Sequence, residues 1–195
     1  VGTSSHGTLA DLIIRERRGG VRSVAMPYAS ATTVTSGLNA YNRAVVDSAR
    51  IDAVISEIEP YNTNDYAGFY STIRSVGNWC RTNRVMPCVY MGWPSEAAWD
   101  SIVVNADRVF LHCYRPSTSM SGSSQYGYVR ARMGTIAAKA KARNKKMSVV
   151  IIYSCEPQFA YDYFRAASWS ETYANYKTAY NTSATADMKL WLMQD

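Results

Sequence analysis

The sequence has few charged residues and few side chains suited to binding a metal. Of its 195 residues, 18% are charged, two are histidine and four are cysteine. It contains no CxxC pair, and no Cys/His spacing matches a zinc site. We therefore expect neither a metal nor a cofactor.

Several motifs and long hydrophobic runs are also missing. There is no GxGxxG or Walker A sequence for a nucleotide and no GxSxG for a serine nucleophile. No apolar run approaches the ~18 residues of a membrane span, so we expect none. The first 12 residues lack the basic and apolar regions of a signal peptide, although one removed earlier would leave no trace.

Basic residues exceed acidic ones, giving a net charge of +6 and a pI of about 9.2. They concentrate at 15–18 and 130–146, where they alternate with apolar residues at helical spacing. This pattern favours the solvated faces of two helices. No RRM, KH, zinc-finger or helix-turn-helix signature occurs, so we expect no nucleic-acid partner.

The four cysteines are dispersed along the chain. Cys88, Cys113 and Cys155 lie in apolar, strand-like runs, and Cys80 lies in a helical pattern. We interpret them as small buried side chains. Their even number also permits disulfides, so the sequence is compatible with both an oxidising and a reducing compartment.

Short apolar runs alternate with longer amphipathic segments throughout the sequence. The predicted strands are 21–28, 51–59, 85–93, 107–114, 146–156 and 188–194. The predicted helices are 8–18, 36–49, 65–82, 95–106, about 125–144 and 160–180.

Repeated strand and helix units with apolar strands predict an α/β fold with a parallel sheet. The alternatives are a doubly wound open sheet and a (β/α)8 TIM-type barrel. Polar and aromatic residues at the strand ends favour the barrel, because barrel enzymes act there. We expect 1–195 to form one barrel domain with about six parallel strands. Its N-terminal units would be missing and supplied by another segment or chain.

Carboxylates follow two of the predicted strands. Glu57 and Glu59 would share one face of strand 51–59, and Glu156 ends strand 146–156. A carboxyl pair ~5–5.5 Å apart suits retaining glycoside hydrolysis, and ~6.5–9.5 Å suits inversion. Alternatively, Glu59 lies in a solvated loop and Glu156 caps the next helix.

Aromatic and imidazole side chains also end strands. His112 and Tyr114 would share a face, either beside a carboxylate and a sugar or within the core. Tyr28, Trp93 and Trp191 lie at further strand ends, where sugar rings stack on aromatic faces. We assign Trp79, Trp99 and Trp169, which lie in predicted helices, to structural roles.

The segment DAVISEIEP (52–60) resembles the DxxDxDxE signature of the family 18 chitinases and endo-β-N-acetylglucosaminidases. Asp52 matches the first Asp, and Glu59 matches the catalytic acid. Ile55 replaces the second Asp, and Glu57 replaces the Asp that assists the substrate's N-acetyl group. Arg115 stands where that family carries an Asp after Tyr114.

The strand ends also resemble those of the clan A glycosidases, which include cellulases and mannanases. That likeness implies Glu59 as acid/base, Glu156 as nucleophile, a His112-x-Tyr114 pair and Trp191 on the last strand. Ile58 departs from it, because the clan has Asn before the acid/base.

Both resemblances imply a glycoside hydrolase-like barrel, with a glycan as substrate or ligand. Glu59 and Glu156 would be catalytic. Contacts to the sugar would come from Tyr28, Glu57, Trp93, His112, Tyr114 and Trp191. The alternative is a non-catalytic carbohydrate-binding or scaffold domain on a decayed barrel. For either, we expect an extracellular or periplasmic location.

Overall fold

A computed structural model describes residues 4–92, 94–115, 122–152, 154, 170, 171, 174, 177, 178, 181 and 184–194. The chain has an α/β fold with a six-stranded parallel sheet in the order β1-β2-β3-β4-β5-β6. The strands are β1 Ala25–Tyr28, β2 Ala53–Ser56, β3 Met86–Met91, β4 Arg108–His112, β5 Met147–Ile152 and β6 Leu192–Gln194. The predicted α/β class and parallel pairing are confirmed.

The helices lie between the strands, as the alternating pattern predicts. Those whose bounds are described are α1 Ser4–Arg18, α2 Ala31–Ala44, α3 Pro60–Thr63, α4 Tyr66–Asn83, α5 Glu96–Asn105, α6 Gly122–Ala142 and α7 Ala186–Trp191. A 3₁₀ turn, Asp47–Ala49, follows α2. No described helix combines the length and the apolar character needed to cross a membrane.

The chain divides into two compact units. The first comprises 1–90 and 105–107, and the second comprises 91–104 and 108–195. In the first, β1, β2 and β3 pair in parallel, with Tyr28 opposite Ser56 and Ile55 opposite Cys88. In the second, β4, β5 and β6 pair in the same way.

Each unit has an apolar core formed by strand and helix side chains. In the first unit, Phe69, Ile73 and Val76 are buried on one face of α4, as their spacing predicts. The core of the second unit includes Leu111 of β4 and Met147 of β5, both fully buried. β2 and β3 are largely buried on both faces, which explains the near-continuous apolar runs in these two segments.

Local signals in the sequence fix several helix ends. The Asp65 carboxylate accepts a 2.8 Å hydrogen bond from the Gly68 amide and caps α4. At the C-terminal end of α1, Gly20 adopts a positive φ of 100°. Amides of Gly19 and Gly20 then bond the last carbonyls of α1, so the predicted Gly-Gly closure is confirmed.

Two predicted strands differ from the structure where candidate site residues lie. Strand 51–59 ends at Ser56, where the hydroxyl accepts a hydrogen bond from the Ile58 amide and Pro60 starts α3. Within the predicted strand 188–194, Trp191 is instead the last residue of α7. Thr185 caps that helix by accepting a hydrogen bond from the Met188 amide. Placing Trp191 in a strand was therefore wrong.

The basic helix faces are only partly solvated. Arg15 and Arg18 are exposed, but Arg17 is half-buried and pairs with Asp52 at 2.7 Å. Lys139 of α6 is likewise half-buried, between Glu96 at 2.6 Å and Asp100 at 3.0 Å. Prediction from helical spacing missed these ion pairs because the acidic partners lie far away in the sequence.

Candidate functional site at the carboxyl ends of the strands

Tyr28 and Ser56 end two neighbouring strands of the first unit. Tyr28 is 8% exposed, and its hydroxyl shares a side-chain hydrogen bond with Ser56. Burial raises the pKa of the Tyr28 phenol, and the bond to Ser56 only partly offsets this. Tyr28 therefore remains a neutral hydroxyl at this strand end.

Glu59 lies just beyond Ser56, at the position preceding α3. Its side chain accepts hydrogen bonds from the Tyr61 hydroxyl at Oε1 and from the Asn62 amide at Oε2, the latter at 2.6 Å. Pro60 occupies the first helical position, where no amide hydrogen is needed. These contacts hold the half-buried Glu59 carboxyl in one orientation.

Glu57 differs from Glu59 in its surroundings. Its side chain is exposed, while its amide donates a 3.3 Å hydrogen bond to the Tyr28 carbonyl. Because β2 ends at Ser56, the alternation of a strand does not continue to these glutamates. The expectation of a shared strand face for Glu57 and Glu59 was wrong, since both lie in the loop that follows.

Asp52 belongs to the opposite end of β2. Its carboxylate accepts hydrogen bonds from the Ser23 hydroxyl, the Val24 amide and the Arg17 guanidinium, at 3.0, 2.8 and 2.7 Å. Burial raises the pKa of Asp52, but these hydrogen bonds outweigh it and the net pKa is lowered. Asp52 thus has a structural role that joins α1 and β1 to β2.

In the second unit, His112 and Tyr114 lie at the carboxyl end of β4. Their ring centroids are 3.6 Å apart at an interplanar angle of 58°, which agrees with the predicted i, i+2 proximity. His112 is the last residue of β4 and is buried, while Tyr114 follows the strand and is half-buried. Between them, the Cys113 amide bonds the Ile152 carbonyl of β5 at 2.9 Å.

The sequence analysis did not predict that Arg115, Arg132 and Tyr128 form a cluster in this unit. The Arg132 guanidinium donates hydrogen bonds to the Gly92 carbonyl, to the Met91 carbonyl at 3.3 Å and to the Tyr128 hydroxyl at 2.8 Å. The Arg115 guanidinium lies 5.1 Å from the centre of the Tyr128 ring.

The sequence around Arg132 contained a signal from which its hydrogen bonds could have been predicted. It lies between Val129, Met133 and Ile136, which are buried on the inner face of α6, and four residues after Tyr128. An arginine beside a buried helix face requires acceptors, and here the end of β3 supplies them.

The remaining predicted site residues divide into two groups. Trp191 is half-buried, and its Nε1 hydrogen has no acceptor among the described residues. Trp93 and Glu156 lie outside the described residues, as do Cys155 and Trp169. The separation of the Glu59 and Glu156 carboxyls therefore stays a prediction.

A cavity of about 250 Å³ also lies at this end of the first unit, beside β1. It is lined by Met26, Pro27, Tyr28, Ala29, Ser30, Thr33 and Val34. Within the described part of the chain, no three His, Cys, Asp or Glu side chains form a group that could hold a metal.

Comparisons of the whole sequence and fold with protein-family models, curated proteins and solved structures give no match.

Proposed function

We propose that this protein is a glycoside hydrolase-like domain that acts on a glycan at the carboxyl ends of its strands. In this proposal the six parallel strands belong to a (β/α)8-type barrel completed by another segment or chain. Barrel enzymes build their sites from residues that follow different strands. The first unit has Tyr28 and Glu59 in such places, and the second has His112 and Tyr114.

The fixed orientation of the Glu59 carboxyl is the observation that carries the proposal. Glu59 would act as general acid/base, because Tyr61 and Asn62 position it directly after β2. Glu156 would be the nucleophile. Tyr28, Glu57, Trp93, His112, Tyr114 and Trp191 would contact the sugar.

The same contacts favour a second candidate function, non-catalytic binding of a glycan. Both Glu59 oxygens already accept hydrogen bonds from side chains of their own loop. In addition, Ile58 occupies the place where the clan A likeness implies an Asn. A carboxylate held in this way can accept a hydrogen bond from a sugar hydroxyl without transferring a proton.

Hydrolysis of a panel of chromogenic β-glycosides tests the leading function. Glu59→Gln removes the titrating group but keeps the size of the side chain, so turnover should fall at least a hundredfold. Glu16→Gln changes an exposed carboxylate of α1 that has no place in the proposed site, and it serves as the matched control. Equal turnover in wild type and Glu59→Gln would eliminate Glu59 as the acid/base.

Affinity electrophoresis in soluble glycans separates the two candidates. Retarded migration without hydrolysis supports the binding function, and hydrolysis lost in Glu59→Gln supports the enzyme. Neither retardation nor hydrolysis across the panel would refute both.

Two further variants distinguish the mechanisms that the two family likenesses imply. Glu156→Gln should abolish turnover if Glu156 is the nucleophile, as in the clan A likeness. In the family 18 likeness it should leave much of the activity, and Glu57→Asp should increase it. The added methylene of Glu57 displaces its carboxyl by about 1 Å, enough to cost on the order of a hundredfold in rate.

A further inference from the structure

A second cavity lies in the first unit, at the amino ends of β2 and β3. Its volume is about 450 Å³, within the ~300–1,000 Å³ of typical small-molecule sites. Ile51 and Asp52, just before β2, and Val85, just before β3, form part of its wall. It therefore belongs to the opposite end of the strands from Glu59. The other lining residues are Arg17, Leu38, Asn39, Asn42, Arg43, Asp47, Ser48, Arg50, Trp79, Asn83 and Arg84.

Four arginines and two aspartates line this cavity, and the charges do not cancel. Asp52 is engaged by Arg17 at 2.7 Å, and Asp47 by Arg50 at 3.2 Å. No described residue forms an ion pair with either of the other two arginines, Arg43 and Arg84. Two guanidinium groups are thus left for an anion.

Arg84 has a backbone conformation that arginine rarely adopts. Its φ of 57° and ψ of 40° are left-handed, and its amide closes α4 by bonding the Cys80 carbonyl. Glycine or asparagine normally takes this position. The other described non-glycine residues with positive φ, Asn64 and Asn144, are both asparagines. A strained arginine beside a cavity indicates a use for its side chain.

A favourable location at helix ends does not by itself explain these arginines. Cations are stabilised near helix C-termini, and Arg43 lies in the last turn of α2 while Arg84 follows α4. That effect places positive charge at each helix end separately. It does not account for the left-handed backbone of Arg84 or for a shared cavity.

The rest of the wall suits the organic part of a ligand. Leu38, Ile51 and Val85 provide apolar surface, and the half-buried Trp79 provides an aromatic side chain. Asn39 adds an amide that can donate to or accept from a polar ring substituent. A cavity of this size exceeds what inorganic phosphate alone would fill.

We propose that this cavity binds a phosphate monoester that carries a planar ring, of about the size of a nucleoside monophosphate. Arg43 and Arg84 bind the dianionic phosphate, because guanidinium groups match phosphate oxygens in charge and geometry. The ring contacts Trp79 and the apolar wall. The site is independent of the proposed glycosidase function.

Isothermal titration with adenosine 5′-monophosphate, in a buffer free of phosphate and sulfate, tests the site. Wild type should bind the nucleotide and show no heat with adenosine, which lacks the charge. Inorganic phosphate should bind more weakly, since it lacks the ring. Arg43→Ala and Arg84→Gly should each weaken binding about tenfold or more. Arg74→Ala removes an exposed arginine of α4 that does not line the cavity, and its affinity should equal that of wild type.

The Arg84→Gly variant separates binding from a structural role. Glycine relieves the left-handed strain, so the midpoint of thermal unfolding should stay the same or rise while affinity falls. Four results would overturn the proposal: no binding of the nucleotide at millimolar concentration, equal binding of adenosine, equal binding of inorganic phosphate, or unchanged affinity in a folded Arg84→Gly protein.

Discussion

The Arg17 guanidinium donates a 2.7 Å hydrogen bond to the Asp52 carboxylate, which is 35 residues further along the chain. Arg17 also donates to the backbone carbonyls of Arg22 at 3.2 Å and Arg50 at 2.9 Å. The Asp52 carboxylate in turn accepts hydrogen bonds from the Ser23 hydroxyl and the Val24 amide, which directly precede β1. This pair fixes the end of α1 and the starts of two strands.

Removal of the Asp52 carboxylate should destabilise the first unit. Asp52→Ala leaves the Arg17 guanidinium and the Val24 amide without their acceptor, at a cost of roughly 1–2 kcal/mol in the free energy of unfolding. Asp47→Ala removes an exposed partner of Arg50 and should cost less than about 0.5 kcal/mol. Urea denaturation measures both. Equal losses in the two variants would contradict the structural role of Asp52.

The contribution of Asp52 to stability should depend on pH. The folded-state pKa lies below the ordinary value of 3.8, so the stabilisation is fully present above that value. It is lost as the pH falls below 3.8 through the folded-state pKa. The difference in unfolding free energy between wild type and Asp52→Asn should therefore shrink from neutral pH to about pH 3. A difference that is constant or grows in acid would show that the pKa is not lowered.

Two glycines in helices should respond to alanine in opposite directions. A Cβ at Gly77 of α4 would lie 2.5 Å from the Asn105 backbone oxygen, so Gly77→Ala should destabilise by about 2 kcal/mol or more. At Gly37 of α2 nothing lies within 4 Å, and Gly37→Ala should stabilise by about 0.5–1 kcal/mol. Thermal and urea unfolding of both variants check the signs. A neutral Gly77→Ala would refute the close packing of α4 on Asn105.

The described cysteines should react slowly with thiol reagents in the native protein. Cys80, Cys88 and Cys113 are buried thiols, and burial raises the pKa of Cys80 and of Cys113 to about 12 each. A Cys155→Ser background leaves only these three thiols. With Ellman's reagent at neutral pH, we expect negligible labelling until urea unfolds the chain, and then three thiols. Rapid native labelling of any of them would contradict their burial.

The sequence by itself determined the α/β class, the parallel sheet and several helix ends, because these depend on local patterns. Apolar runs predict buried strands, and the Gly19-Gly20 pair and Ser95 mark ends of helices as predicted. The carboxyl end of β2 shows where this reasoning fails. A run of apolar residues suggested a strand up to Glu59, whereas the Ser56 hydroxyl and Pro60 end it earlier.

Only the tertiary structure decided which charged side chains act together. Asp52 looked like part of a catalytic signature, yet Arg17, from a distant helix, gives it a structural role. Arg43 and Arg84 are 41 positions apart, and nothing local in the sequence relates them to one cavity. Such contacts depend on how strands and helices pack in space, and hydrophobic periodicity records only which face of an element is buried.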